Sequence, residues 1–306
     1  MFSYTDILKK AYYLTRNFPI LWLFGFFVIG GFSLNFLHFQ DVPAESLSQP
    51  VSWSAVGQFF SAHPLVLAGI SLSLLIISLG GLLLTNWCRI MLVLLTQEIL
   101  DKSRFSLHDQ VKVSKKFLWP VIKVSLLTSL MLILVATGLL GVPLWSNLDI
   151  PTKTLLWSIA SVVFVPLAFT ISCINIFTTF FLILHKLPFR SALNAGTDFF
   201  LVNWNKILGL GLVLGVIFLA GSSVGGAVVY LSRLLINFIQ LSGLGFLPVS
   251  ATIVIIKSLA AVFLWLILAI LNVFFNSALL LIFLQLVTPT KAEEKVGEMA
   301  VSPAIP

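Results

Sequence analysis

Six apolar runs constrain this chain most, because each is long enough to cross a lipid bilayer. A spanning helix needs about 20 mostly apolar residues to cross a hydrocarbon core about 30 Å thick. The runs cover about 18–37, 64–95, 119–145, 154–184, 207–231 and 251–287. Only 9% of the residues are charged, against about 25% in soluble domains. The sequence therefore predicts an all-α integral membrane protein and excludes a soluble enzyme or a nucleic-acid-binding domain.

The basic residues indicate how the helices are oriented. The N-terminal segment, the second and fourth loops and the C-terminal tail carry most of them, while the first loop, about 38–63, has no Lys or Arg. Basic loops stay on the cytoplasmic side of a cell membrane. We therefore predict six transmembrane helices with both termini in the cytoplasm, and we attribute the net charge of +7 to topology rather than to a nucleic-acid partner.

An internal repeat divides the chain. Phe2–Lys9 matches Phe105–Lys112 at four of eight positions, and a more diverged copy begins at Phe189. Thr85-x-x-Cys88 in the second run has a counterpart in Thr170-x-x-Cys173 in the fourth. Each copy enters from the same side, so the sequence predicts three parallel helical hairpins, each preceded by a short amphipathic cytoplasmic helix.

These repeats form a single membrane domain over 1–289, with units at about 1–100, 101–185 and 186–289. The remainder, 290–306, carries three glutamates and is predicted to be a disordered cytoplasmic tail.

The segment Leu234–Leu247 allows two interpretations. It is apolar enough to enter the membrane but short for a spanning helix, so we favour an interfacial or re-entrant piece. If it spans, the chain has seven transmembrane helices and the tail moves to the outside.

The short helices predict contacts with lipid. Tyr4, Ile7, Leu8, Ala11 and Tyr12 share one helical face, while the neighbouring lysines lie away from it. A basic helix with an apolar face can lie flat among headgroups. The residues expected to contact anionic headgroups are Lys9, Lys10, Arg16, Arg104, Lys112, Lys115, Lys116, Lys186, Arg190 and Lys206.

A second candidate site consists of polar residues inside the spans. Arg89 is either an anion contact or, as we favour, a boundary arginine whose head reaches the headgroups. The asparagines Asn86, Asn175, Asn272 and Asn276 line a polar pathway or, as we favour, form hydrogen bonds between helices.

Catalytic and metal-binding motifs are missing from the sequence. The four histidines have no metal-ligand spacing, and no nucleophile motif occurs. We therefore predict no enzymatic activity, no cofactor and no metal. In the fifth run, Gly211, Gly215, Gly221 and Gly225 form two G-x-x-x-G motifs, which favour packing within the bundle and, as the alternative, a homo-oligomer.

Two features support a family resemblance. These are Leu21–Phe26 in the first run and the long second helix that continues into Glu98–Phe105. The chain resembles the membrane domain of some bacterial glycerophosphodiester phosphodiesterases and similar stand-alone membrane proteins. The resemblance implies a polytopic protein of the bacterial inner membrane. No polar segment is long enough to hold the phosphodiesterase domain, so its activity is not expected here.

Two functions remain open from sequence. The first is a non-catalytic scaffold or accessory protein that contacts anionic lipid or protein partners at the cytoplasmic face. The alternative is a transporter or channel for a small or lipid-like solute. A continuous polar cavity would favour the alternative, and a bundle packed solid along its axis would count against it.

Overall fold

Every regular element in the described part of the chain is an α-helix. The computed structural model describes residues 3–28, 61, 64–102, 106–145, 149–242 and 249–287. The helices are α1 (Tyr4–Asn17), α2 (Ile20–Val28), α3 (Pro64–Lys102), α4 (Leu107–Trp145), α5 (Ile150–Leu184), α6 (Phe189–Ser242) and α7 (Val249–Val287).

Five of these helices, α3 to α7, are long and apolar enough to cross a membrane. The predicted all-helical, multi-pass membrane fold is therefore confirmed. Five of the six predicted runs lie in these helices. The first run begins in the described region, where α2 forms, but its residues 29–37 lie outside the described residues.

The first two repeat copies begin with the same helix cap. The Ser3 hydroxyl accepts a hydrogen bond from the Asp6 backbone N–H at 3.4 Å. The Ser106 hydroxyl accepts one from the Asp109 backbone N–H, also at 3.4 Å. A serine at this position satisfies an amide that the helix itself leaves unpaired. The third copy has Arg190 at the equivalent position, so it cannot form this cap.

Only the first copy has a separate short helix. Helix α1 ends at Asn17 and α2 begins at Ile20, with Pro19 between them. The residue before a proline is disfavoured in the helical region, which accounts for the break. In the second copy the predicted short helix is instead the first part of α4, so the prediction of a separate element there is wrong.

In the third copy the short helix is set off by a bend within α6. Asn203 has non-helical angles, φ −110 and ψ 15. Its side-chain amide donates to the Phe199 carbonyl at 3.1 Å. An asparagine that binds the carbonyl four residues back competes with the regular backbone bonding and accounts for the bend.

The end of α6 differs from the sequence interpretation. The helix continues through Ser232 to Ser242, so residues 234–242 extend α6 rather than forming a separate re-entrant piece. Helical continuation keeps each backbone N–H and carbonyl paired within the segment, as a membrane environment requires. Residues 243–248 lie outside the described residues.

The chain divides into two compact units. The first unit comprises Met1–Leu21, Ile90–Ile217 and Val273–Pro306. The second comprises Trp22–Arg89 and Phe218–Asn272.

A cluster of phenylalanines forms the core of the first unit. The Phe283 ring centroid lies 4.9 Å from that of Phe181, 5.3 Å from Phe199 and 5.4 Å from Phe180. Each pair tilts toward an edge-to-face geometry, which aromatic rings favour over face-to-face stacking. The surrounding core also takes buried side chains from α3 and α4. Five helices therefore meet at this cluster.

Within the second unit, small residues and one polar contact join the helices. A side-chain carbon at Gly221 would lie 2.6 Å from Leu271, and one at Gly225 would lie 3.0 Å from Leu264. The Asn272 amide donates to the Gly25 carbonyl at 2.9 Å, linking α7 to α2. The glycines thus allow close approach between helices of the same chain.

Candidate membrane-interface site

Helix α1 packs its apolar face against the protein. Ile7, Ala11 and Leu14 are 3%, 0% and 2% exposed. Tyr12, predicted to lie on that face, is 57% exposed, so this part of the prediction is wrong. The buried residues after Ala11 are Leu14 and Thr15, three and four positions further along the helix. Residues at this spacing share one face, so Tyr12 lies on the side that faces away from the protein. The face predicted to enter the lipid is therefore covered by the chain itself.

The first turn of α1 docks on α6. The Tyr4 hydroxyl donates a hydrogen bond to the backbone carbonyl of Lys206 at 3.2 Å. The same ring lies against Gly209, where a side-chain carbon would come within 2.7 Å of the hydroxyl. Tyr4 thus positions the start of α1 beside Lys206 and Gly209 of α6.

Nine of the ten basic residues predicted to contact headgroups are described, and all nine are exposed. We call them the basic surface: Lys9, Lys10, Arg16, Lys112, Lys115, Lys116, Lys186, Arg190 and Lys206. The tenth, Arg104, lies outside the described residues.

Five residues of the basic surface lie close in sequence to core residues of the first unit. On α4 the lysines precede Val121, which is buried in the phenylalanine core. Lys186 lies in the α5–α6 connection and Arg190 in the first turn of α6, both between the core residues Ile183 and Ala192. The basic residues of α4, Lys186 and Arg190 therefore belong to segments that pack on one core. Tyr4 joins α1 to α6, which contributes to the same core.

A carboxylate links the end of α3 to the beginning of α4. Glu98 accepts hydrogen bonds from the Gln110 side-chain amide at 2.8 Å and from the Ser106 backbone N–H at 3.4 Å. Farther along α4, Ser114 is fully buried and donates to the Val111 carbonyl at 2.9 Å. Since Ser114 faces inward, the lysines on either side of it face outward.

Lys186 occupies an unusual backbone conformation. Its φ is 53°, in the left-handed region, directly after the end of α5. The following residue, Leu187, donates its backbone N–H to the Phe181 carbonyl at 3.5 Å. Glycine is the usual residue in a left-handed position directly after a helix end.

The five intramembrane polar residues do not form one site within either unit. Arg89, Asn86 and Asn272 belong to the second unit, and Asn175 and Asn276 belong to the first. Asn86 donates to the Leu82 carbonyl of its own helix at 2.8 Å. Asn272 forms the interhelical hydrogen bond described above, the use that we favoured from sequence. Arg89 is half-buried between Cys88 and Ile90.

Three buried polar atoms in the first unit have no hydrogen-bond partner within the described residues: Asn175 Oδ1, Thr178 Oγ1 and Ser277 Oγ. Asn175 is one of the predicted polar residues, whereas the sequence analysis missed Thr178 and Ser277. A lone threonine or serine in an apolar run gives no signal that its hydroxyl is unpaired, because most bond to their own helix backbone.

A cleft opens between α1 and the end of α7. Its volume is about 290 Å³, and it is lined by Asp6, Ile7, Lys10, Leu281, Leu284 and Gln285. The sequence analysis missed it, since nothing in the sequence places the two ends of the chain together.

Known proteins give no guide to this site. Comparison with protein-family models, with curated proteins and with solved structures finds no match to this chain. Within the described residues, no group of three or more His, Cys, Asp or Glu side chains could hold a metal ion.

Proposed function

We propose that this chain is a non-catalytic scaffold or accessory protein of the bacterial inner membrane. In this proposal the basic surface binds anionic phospholipid headgroups at the cytoplasmic face. The observation that carries it is that all nine residues of the basic surface are exposed and belong to the first unit. A site for a soluble metabolite or a catalytic centre would be expected to bury some of its charges.

The charge pattern accounts for binding without a deep pocket. Each Lys or Arg near an anionic leaflet contributes about 1 kcal/mol. Salt screens such contacts, because the Debye length is about 8 Å at physiological ionic strength. A surface of several basic residues is therefore expected to bind anionic lipid at low salt and to release it as salt rises.

Aromatic side chains on α1 support a position at the membrane interface. Tyr12 and Tyr13 are both exposed and lie between the basic residues Lys10 and Arg16. Tyrosine is enriched at the headgroup level, where its ring is in apolar surroundings and its hydroxyl is hydrated.

The alternative, a transporter or channel, draws support from one observation. The unpartnered atoms of Asn175, Thr178 and Ser277 are the kind of polar groups that line a solute pathway. Against it, phenylalanine rings fill the core of the first unit, where a pathway would need water. Uptake of solutes by proteoliposomes would favour the alternative.

The scaffold proposal is tested by removing charge from α4. Purified protein carrying Lys112→Gln, Lys115→Gln and Lys116→Gln together should retain less phosphatidylglycerol in low salt, as counted by native mass spectrometry. Lys153→Gln is the matched control, because Lys153 lies near the start of α5 at the opposite end of that helix from Lys186. Equal retention by the triple variant and the wild type at low salt would refute the proposal.

A further inference from the structure

The cleft between α1 and α7 carries a more specific inference. We propose that it binds the headgroup of an amine-bearing zwitterionic phospholipid, with Asp6 facing the ammonium and Lys10 facing the phosphate. The inference rests on the proposed function, because it requires this end of the protein to lie at headgroup level.

The two charges are placed as a dipolar ligand requires. Asp6 and Lys10 are four residues apart on α1, so they are neighbours on one helical face. Both are exposed, and both line the cleft. Within the described part of the chain, neither side chain forms an ion pair or a hydrogen bond. A carboxylate and an ammonium are thus both available to a ligand in the same cleft.

The rest of the lining fits a lipid rather than a soluble headgroup. Ile7 and Leu281 are almost fully buried, and Leu284 is half-buried, so the floor and wall of the cleft are apolar. Leu281 and Leu284 also belong to the last turns of α7, whose apolar span ends at Val287. An acyl chain beside that span would continue directly from a headgroup held at α1.

The lining also predicts which headgroup is preferred. A primary ammonium donates hydrogen bonds to the Asp6 carboxylate, whereas the quaternary ammonium of choline has no N–H to donate. A phosphatidylglycerol headgroup has no cation and is repelled by Asp6. The cleft should therefore favour phosphatidylethanolamine over phosphatidylcholine.

The test uses delipidated full-length protein with an equimolar mixture of phosphatidylethanolamine, phosphatidylcholine and phosphatidylglycerol of identical acyl chains. Native mass spectrometry gives the ratio of bound phosphatidylethanolamine to phosphatidylcholine. The wild type should show a ratio of about five, the size of a favourable exposed charge contact. Asp6→Asn should bring the ratio close to one, and Lys10→Gln should reduce phosphatidylethanolamine binding.

Matched controls come from the repeat and from outside the basic surface. Asp109→Asn changes the equivalent capping-turn aspartate of α4, and Lys153→Gln changes a lysine of α5 that neither lines the cleft nor belongs to the basic surface. Both should leave the ratio unchanged. Gln285→Trp should lower the ratio by filling the cleft, without altering the charges of α1.

Three results would overturn this inference. They are a wild-type ratio near one, an equal effect of Asp6→Asn and Asp109→Asn, and full competition by soluble glycerophosphoethanolamine at a concentration equal to that of the lipid. Each is separate from the proposed function, which depends on phosphatidylglycerol retention and on the α4 lysines.

Discussion

Gly196 of α6 lies directly against the backbone of Thr178 in α5. A side-chain carbon built on Gly196 would be 2.7 Å from the Thr178 amide nitrogen and 2.9 Å from its Cα. Both residues are buried. The obstructing atoms are the Thr178 hydroxyl and these two main-chain atoms, and the main-chain atoms cannot move aside by a side-chain rotation. The two helices can approach this closely only because position 196 lacks a side chain.

Replacing Gly196 with alanine should therefore destabilise the protein. The backbone of Thr178 cannot rotate away, so the helices must separate, and overpacking of this kind costs about 1–3 kcal/mol. The free energy of unfolding in mixed detergent micelles measures the loss. Gly215→Ala is the control, because no atom lies within 4 Å of a side-chain carbon at that position. An equal effect of both variants would contradict the contact.

Truncation of Phe283 should have a larger effect. Its ring contacts aromatic rings from α5 and α6, so Phe283→Ala removes contacts to both helices and leaves a cavity. Such truncations cost about 3–5 kcal/mol. Phe263→Ala on the same helix is the matched control, since Phe263 is exposed. Thermal unfolding in detergent should show a clear decrease for the first variant and little change for the second.

Lys186→Gly should stabilise the end of α5. Glycine adopts the left-handed conformation without a side-chain clash, and we expect a gain of roughly 0.5–1 kcal/mol. Lys186→Gln removes the charge but keeps the clash, so it should not stabilise. Lys186→Val should lower the unfolding free energy, because a β-branched side chain tolerates this conformation least. If the glutamine variant stabilises as much as glycine, charge rather than backbone conformation is responsible.

Tyr4→Phe should loosen α1 while leaving the spans folded. The change removes the hydrogen bond to the Lys206 carbonyl, worth about 0.5–1.5 kcal/mol, and keeps the ring. Amide hydrogen exchange should rise in residues 4–17 and stay constant in α5. Tyr13→Phe is the control, because Tyr13 is exposed. Unchanged exchange in α1 would show that its buried apolar face alone holds it.

The features that the sequence predicted correctly are local. Long apolar runs give spanning helices because the length is set by the bilayer.

The features that it missed depend on distant partners. Which stripe of α1 is buried, with Leu14 inside and Tyr12 outside, is decided by the surface on which it packs. The Phe181–Phe283 contact joins residues from helices far apart in sequence. The α1–α7 cleft likewise needs both ends of the chain, so no local pattern could predict Asp6 and Gln285 as neighbours.

Every residue of α3 from Pro64 to Gly80 is exposed, and each glycine in that stretch has no atom within 4 Å of its potential side-chain carbon. The side chains in this stretch do not have to fit against other helices, and they need only be apolar enough for a hydrocarbon environment. Leucine, isoleucine and valine are then interchangeable, so selection acts on the average character of the stretch rather than on its individual positions. Among species, this half of the helix should diverge faster than the residues around Phe283.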